Sequence, residues 1–162
     1  MLIESNLSEY VDLMAKRALG QLPEMGSAIR TVEILKENNL ITKEEISILD
    51  VGSATCHYLR SFLNHDIKVN LYAGVEIDKE MVNAAKSIWA DSISKGQIIL
   101  ENSDAEKFEL DKKFDICICC NAFMYFKSPY KALKNMIKHT KNNLLIRGYF
   151  SDKSYRILRS QT

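Results

Sequence analysis

The sequence is poor in the features that usually announce an activity. No apolar run approaches the roughly 18 to 20 residues that a membrane span needs, and the start lacks a signal-peptide pattern. The expectation is a cytoplasmic protein with no transmembrane segment. Cysteine is confined to Cys56, Cys117, Cys119 and Cys120. Three of these crowd into "CICC" on an apolar run of strand length, where neighbouring side chains point to opposite faces. That spacing suits neither a zinc site nor a disulfide, and reduced core residues are expected instead. Histidine is limited to His57, His65 and His139, and the last two read as surface residues. No metal-ligand cluster, catalytic triad or nucleophile with a partner base stands out.

Glycine is missing where a nucleotide loop would need it. The stretch "DVGSATCHYL" (50–59) follows a short apolar run, and a dinucleotide fold would want G-x-G-x-x-G there. Gly52, Ala54 and His57 occupy those positions, so one glycine of three is present. No G-K-[ST] follows, which removes the P-loop reading. What Gly52 still offers is a close backbone approach to a ligand, beside the unpaired N–H groups of the helix that follows.

Net charge is also small, at +1, but it hides an asymmetry. From Lys127 onward nine basic residues face a single acid, Asp152, whereas the preceding residues carry 13 basic and 20 acidic side chains. Lys127, Lys131, Lys134, Lys138 and Lys141 recur at helical spacing. A solvated helix face is the ordinary reading; an anionic acceptor, RNA or an acidic membrane surface, helped by Arg147, Arg156 and Arg159, is the other.

What is present is a change of pattern near residue 46. At 162 residues the chain can bury a real core but is short for a complete α/β enzyme. Residues 1–45 read as a helical segment, a lid or cap. "SEYVDLMAKRAL" aligns Tyr10, Val11, Met14 and Ala18, and "GSAIRTVEILKENN" aligns Ile29, Val32 and Leu35, with "QLPEMG" as the break. Residues 46–162 alternate strands with helices. Strands are predicted at 46–51, 69–77, 97–101, 114–120 and 143–149. Helices are predicted after Thr55, after Asp78 as cap, and after Ser128, where Pro129 takes the first turn and Ala132, Leu133, Met136 and Ile137 face inward.

Strands apolar on both faces and separated by helices imply a doubly wound α/β fold. Its mainly parallel sheet would have about five strands, with helices on both faces. Ligands bind such sheets beyond the carboxyl ends of the strands. Those ends carry Asp50 and Gly52, then Glu76 and Asp78, then Asp104, then Asn121. Phe123 and Phe126 read as core and rim packing.

Taken in order, "ILDVGSATCHYL", "GVEIDKEMVNAAK", "NSDAEKF", "FDICICCNAFMYF" and "NNLLIRG" resemble the class I S-adenosylmethionine-dependent methyltransferases over residues 46 to about 150. The family's D-x-G-x-G-x-G loop is met by Asp50, Gly52, Ala54 and Cys56. The resemblance implies S-adenosylmethionine as cofactor, with Gly52 and its neighbours Asp50, Ser53 and Ala54 near the methionine part and Glu76 on the ribose hydroxyls. It further implies Ile77 against the adenine ring, Asp104 on the adenine amino group with Ala105 beside it, and Asn121 facing the methionine moiety or the acceptor. A cofactor without phosphate tolerates Ala54 and Cys56 better than a pyrophosphate would.

The family usually continues through a further helix and two more strands, which are missing here. That leaves the fifth strand as an exposed edge, open to homodimerisation, or covered by "SDKSYRILRSQT". An N-P-P-Y-like tetrad is also absent, which argues against methylation of amino groups on DNA bases. Tyr125 takes the place of a histidine frequent in members that act on small molecules.

The expected activity is therefore methyl transfer to a small-molecule or glycan-like acceptor. A catalytically silent cofactor-binding module and an RNA methyltransferase are the alternatives, nucleic acid being the less favoured partner. Candidate bases are Tyr125, better suited to hydrogen bonding, and His57, whose position at a helix start disfavours the protonated ring. Tyr125 and Arg147 are the acceptor-binding candidates, Arg147 as a holder of carboxylate or phosphate.

Overall fold

A computed structural model describes the backbone of residues 2–148 and of residue 150, and side chains from residue 8 onward. Two helices, α1 (Leu2–Ala18) and α2 (Gly26–Glu37), precede β1 (Ile46–Val51), α3 (His57–Asn64), β2 (Val69–Glu76), α4 (Lys79–Ile88) and the short α5 (Ala90–Ser94). Then come β3 (Ile98–Asn102), β4 (Phe114–Cys120), a 3-10 turn at Phe123–Tyr125, α6 (Pro129–Lys138) and β5 (Thr140–Arg147).

The five strands form one sheet in the order β3-β2-β1-β4-β5, and each neighbouring pair is parallel. The chain winds outward from β1 through β2 to β3, then crosses back to lay β4 on the other side of β1. That reversal opens a crevice at the carboxyl ends of β1 and β4, where ligands bind in doubly wound folds. The doubly wound parallel fold read from the sequence is the fold observed.

Strand alternation sorts the core into two layers. Ile48, Ile116, Ile118 and Cys120 face one side, packing with Ala18, Ala28, Val32 and Leu35 of the first two helices. Leu49, Val51, Cys117 and Cys119 face the other, against Ala132 and Met136 of α6. "CICC" is thus split across the sheet, and all four cysteines are buried and unpaired. Residues 1–45 do not sit apart: Thr55 Oγ1 donates to the Met14 carbonyl at 2.8 Å, and Arg60 Nε to the Ala18 carbonyl at 2.9 Å.

Local signals were mostly placed well. Asp78 caps α4, its carboxylate accepting from the N–H groups of Glu80 at 2.8 Å and Met81 at 3.3 Å. Pro129 opens α6, but Ser128 makes no side-chain cap bond; its backbone N–H instead donates to Glu106 at 2.7 Å. Two expectations are corrected. Ile137 is 55% exposed, because the inward position belongs to Asn135, whose amide donates to the carbonyls of Phe108 at 2.9 Å and Ala105 at 3.3 Å. His139 is buried, not superficial: Nδ1 meets the Asn135 carbonyl at 2.9 Å, and Nε2 accepts from the Leu110 N–H at 3.2 Å.

The fifth strand starts three residues earlier than predicted, because Thr140 pairs with Phe114. It forms one edge of the sheet and β3 the other. The tail that is one alternative for covering the β5 edge, with Arg156 and Arg159, lies outside the described residues. Among the described residues no helix is long and apolar enough to cross a membrane.

Candidate cofactor cavity

A cavity of about 500 Å³ opens at the crevice, lined among others by Gly52, Ala54, Glu76, Ile77, Asp104 and Asn121. Its floor is the loop between β1 and α3. Gly52 has φ +80°, and a Cβ there would stand 2.3 Å from Cβ of Ala122, so the ends of β1 and β4 touch only because this residue is glycine. Ala54 and Cys56 also have positive φ, 49° and 59°. The loop keeps the left-handed backbone that glycine would favour, at a cost of about 1 kcal/mol per residue. Ala54 faces the cavity, whereas Cys56 is fully buried in the core and narrows nothing.

Glu76, at the end of β2, is locked in place. One carboxylate oxygen accepts from the Ala54 N–H at 2.8 Å, the other from the Asp78 N–H at 3.0 Å. Each oxygen retains a lone pair for a ligand. After the neighbouring strand β3, Asp104 Oδ1 accepts from the Glu106 N–H at 2.9 Å, and its second oxygen meets no donor among the described residues. Ile77, 68% exposed, presents an apolar side chain to the same space, and Ala105 lines it opposite.

His57 also lines the cavity. The residue is 9% exposed, and both ring nitrogens are buried with no hydrogen-bond partner among the described residues. Burial, helped by the Arg17 charge, holds its pKa down to about 4. The ring is therefore neutral at pH 7, able to make a hydrogen bond but too weakly basic to take a proton readily. Tyr125, on the 3-10 turn, is 77% exposed at the mouth. Sequence reading missed Tyr10: assigned to the packed face of α1, it is half exposed at the cavity. Burial raises its phenol pKa, Arg17 opposing and Glu76 adding to the rise.

Two predicted residues are not in the wall. Asp50 is buried beneath it, hydrogen-bonded by the Tyr72 hydroxyl. The Ser53 hydroxyl is buried with no hydrogen-bond partner among the described residues, on the Gly74 side of the loop. The family resemblance implied both as neighbours of the cofactor, but strand alternation and the turn at Gly52 point their side chains inward. Asn121 does reach the cavity, with φ 63°. Its side chain is held by the Arg147 guanidinium, and its Nδ2 lies 3.4 Å from the Ser27 hydroxyl. Arg147 itself lines a neighbouring cavity.

The basic face of α6 is partly engaged: Lys138 meets Glu109 at 2.6 Å, and Lys134 lies over the Tyr130 ring. Among the described residues no group of three His, Cys, Asp or Glu side chains is placed to hold a metal ion.

A doubly wound sheet with a glycine-turn loop after β1, an acid fixed at the end of β2 and a second acid after β3 is an α/β arrangement suited to a nucleoside cofactor. The chain belongs to the methyltransferase domain family, whose model matches residues 48–143. By sequence, no curated protein matches it.

Among solved structures it is similar to the YcgJ protein from Bacillus subtilis, with 27% identity and TM-score 0.57 over 71% of this chain and 49% of that one. An S-adenosylmethionine-dependent methyltransferase from Clostridium acetobutylicum shares 18% identity, with TM-score 0.62 over 83% of this chain and 53% of that one. CalS10, an amino pentose methyltransferase from Micromonospora echinaspora solved with S-adenosylmethionine bound, shares 17% identity, with TM-score 0.63 over 81% and 55%. The last two likenesses speak for the fold. The chain spans about half the length of the structures it matches.

Proposed function

We propose that this chain binds S-adenosylmethionine in the cavity at the β1–β4 crevice and transfers its methyl group to a small-molecule acceptor. The observation that carries the reading is Glu76, a carboxylate fixed by two backbone N–H groups and facing a cavity that a second acid, Asp104, lines from the end of the neighbouring strand β3. The donor set fits the cofactor. Glu76 would accept from the ribose diol and the free oxygen of Asp104 from the adenine amino group, while Ile77 and Ala105 would take the adenine faces. The orphaned nitrogens of His57 would meet the polar methionine end.

Bound there, the cofactor supplies an electrophilic methyl group on a positively charged sulfur. Displacement at that carbon neutralises charge, so the work left to the protein is alignment and exclusion of water. Gly52 brings the β1 loop against Ala122 and closes the floor, and Tyr10 from α1 adds to the wall. Tyr125 is placed at the mouth to orient an acceptor by hydrogen bonding. The sugar methyltransferases among the structural neighbours support a small polar acceptor of glycan type. Reduced, buried cysteines support a cytoplasmic location.

Calorimetry with S-adenosylhomocysteine tests the reading. Saturable binding is expected, weakened at least tenfold by Glu76→Ala and by Asp104→Ala, as loss of a hydrogen bond to a charged group implies. No binding at millimolar ligand would overturn it, and binding without turnover on any acceptor pool would leave a cofactor-binding module.

A further inference from the structure

Next to the cofactor cavity lies a second one, of about 550 Å³, lined by Leu13, Arg17, Glu24, Ser27, Asn121 and Arg147 among others. Two residues, Met25 and Asn121, belong to the walls of both, so the two spaces adjoin. A transferase needs such a pair of neighbouring spaces, one per substrate, and the first is already of a size suited to a single bound small molecule.

The chemistry of the second space is cationic. Arg17 comes from the last turn of α1 and Arg147 from the end of β5, so two elements far apart in sequence bring guanidinium groups to one cavity. Among the described residues neither forms an ion pair, and Arg17 Nε is buried without a hydrogen-bond partner. Arg147 bonds instead to the neutral Asn121 side-chain carbonyl, with no acid paired to it among the described residues. The third contribution is α2, which starts at Gly26 in the same wall with no side-chain cap on its first N–H groups. The wall also carries one acid, Glu24: Asn64 donates to its Oε1 at 3.0 Å, and His65 lies 3.5 Å from its Oε2, which is buried without a hydrogen-bond partner among the described residues. Two guanidiniums therefore stand against one carboxylate, and the wall is cationic on balance.

We infer that this second cavity holds the anionic group of the acceptor, a carboxylate or phosphate on a small molecule. Arg17 and Arg147 clamp it, and Asn121 sets its distance from the cofactor. The inference rests on the methyltransferase reading and adds the acceptor's chemical class. Two guanidiniums suit such a group because their forked N–H donors match its oxygens in pairs. An acceptor so anchored would present its nucleophile toward the first cavity across Asn121.

The test is a titration of inorganic phosphate into the full chain, alone and saturated with S-adenosylhomocysteine, followed by the Nε–Hε resonances of arginine in nitrogen-15 NMR. Phosphate should shift the Arg17 and Arg147 signals at millimolar concentration in both states. Arg147→Gln and Arg17→Gln should each weaken phosphate at least fivefold. Arg147 is exposed, so its variant keeps the test usable even if Arg17→Gln fails to fold. Unshifted arginine signals would overturn the inference, as would phosphate binding indifferent to Arg147→Gln. Competition between phosphate and S-adenosylhomocysteine would also overturn it, assigning the guanidiniums to the cofactor. Failure of S-adenosylhomocysteine to bind would count against the methyltransferase reading, while phosphate binding to the chain alone would still report on the cavity.

Discussion

A Cβ on Gly74 would stand 2.6 Å from Sγ of Cys56 and 2.8 Å from Oγ of Ser53. The bare backbone of β2 therefore makes the room into which the β1–α3 loop turns its side chains. Cys56 replaces a glycine of the family's loop, keeps the left-handed backbone at φ 59°, and sends its sulfur into the core instead of the cavity. The substitution is tolerated by a glycine on the neighbouring strand.

Gly74→Ala is accordingly expected to destabilise the fold by roughly 1–3 kcal/mol, the usual cost of overpacking. With Cys56→Gly as background the loss should shrink by more than about 0.5 kcal/mol, the margin within which independent sites add. Urea denaturation of the four proteins measures the coupling; strictly additive losses would contradict the contact.

Asp50 should make stability depend on pH. Burial raises its pKa to about 7, with the Tyr72 hydrogen bond opposing and the Glu76 charge adding to the rise. A carboxyl that holds its proton more tightly when folded contributes its stability in full below the unfolded value near 4, and loses it as pH climbs towards 7. Asp50→Asn removes that slope. Relative to wild type, the variant should gain roughly 3–4 kcal/mol between pH 4 and pH 7.5. Denaturant curves across that range decide it, and a pH-independent difference would refute the assignment.

Glu76→Gln keeps the size of the side chain but replaces one acceptor oxygen with an N–H₂ group, so it cannot accept from both Ala54 and Asp78. Affinity for S-adenosylhomocysteine should fall at least tenfold. Hydrogen exchange at the Ala54 amide should quicken even without ligand. An unchanged exchange rate would show that the carboxylate does not hold the loop.

Asn135→Leu should cost roughly 1–3 kcal/mol, because the carbonyls of Ala105 and Phe108 would lose their donor inside the core. Ile137→Lys, on the exposed side of the same helix, should change stability by no more than about 0.5 kcal/mol. Thermal unfolding of both variants distinguishes this arrangement from the inward-facing Ile137 that periodicity alone suggests.

Much of this was readable from residue order. The alternation of short apolar runs with helical stretches after residue 46 specified a parallel, doubly wound sheet, because only strands covered on both faces can be apolar on both. The cap at Asp78, the start at Pro129 and the acids at the ends of β2 and β3 were legible because each is set by its immediate neighbours. Asn135 and His139 were not. A polar side chain is buried only where distant carbonyls or N–H groups meet it, and the Phe108 and Leu110 backbones reach them from some 27 to 29 residues away.

The sequence by itself determined the family's fold and the chemistry available at the strand ends, since both follow from local periodicity and from which residues close each strand. Tertiary structure alone decided which of those residues face a ligand. It turned Asp50, Ser53 and Cys56 inward, made room for the last two at Gly74, and brought Tyr10 to the wall of the first cavity and Arg17 together with Arg147 to the cavity beside it. The reason is physical: side-chain direction at a turn with positive φ, and the meeting of elements more than a hundred residues apart, depend on packing that no local stretch encodes.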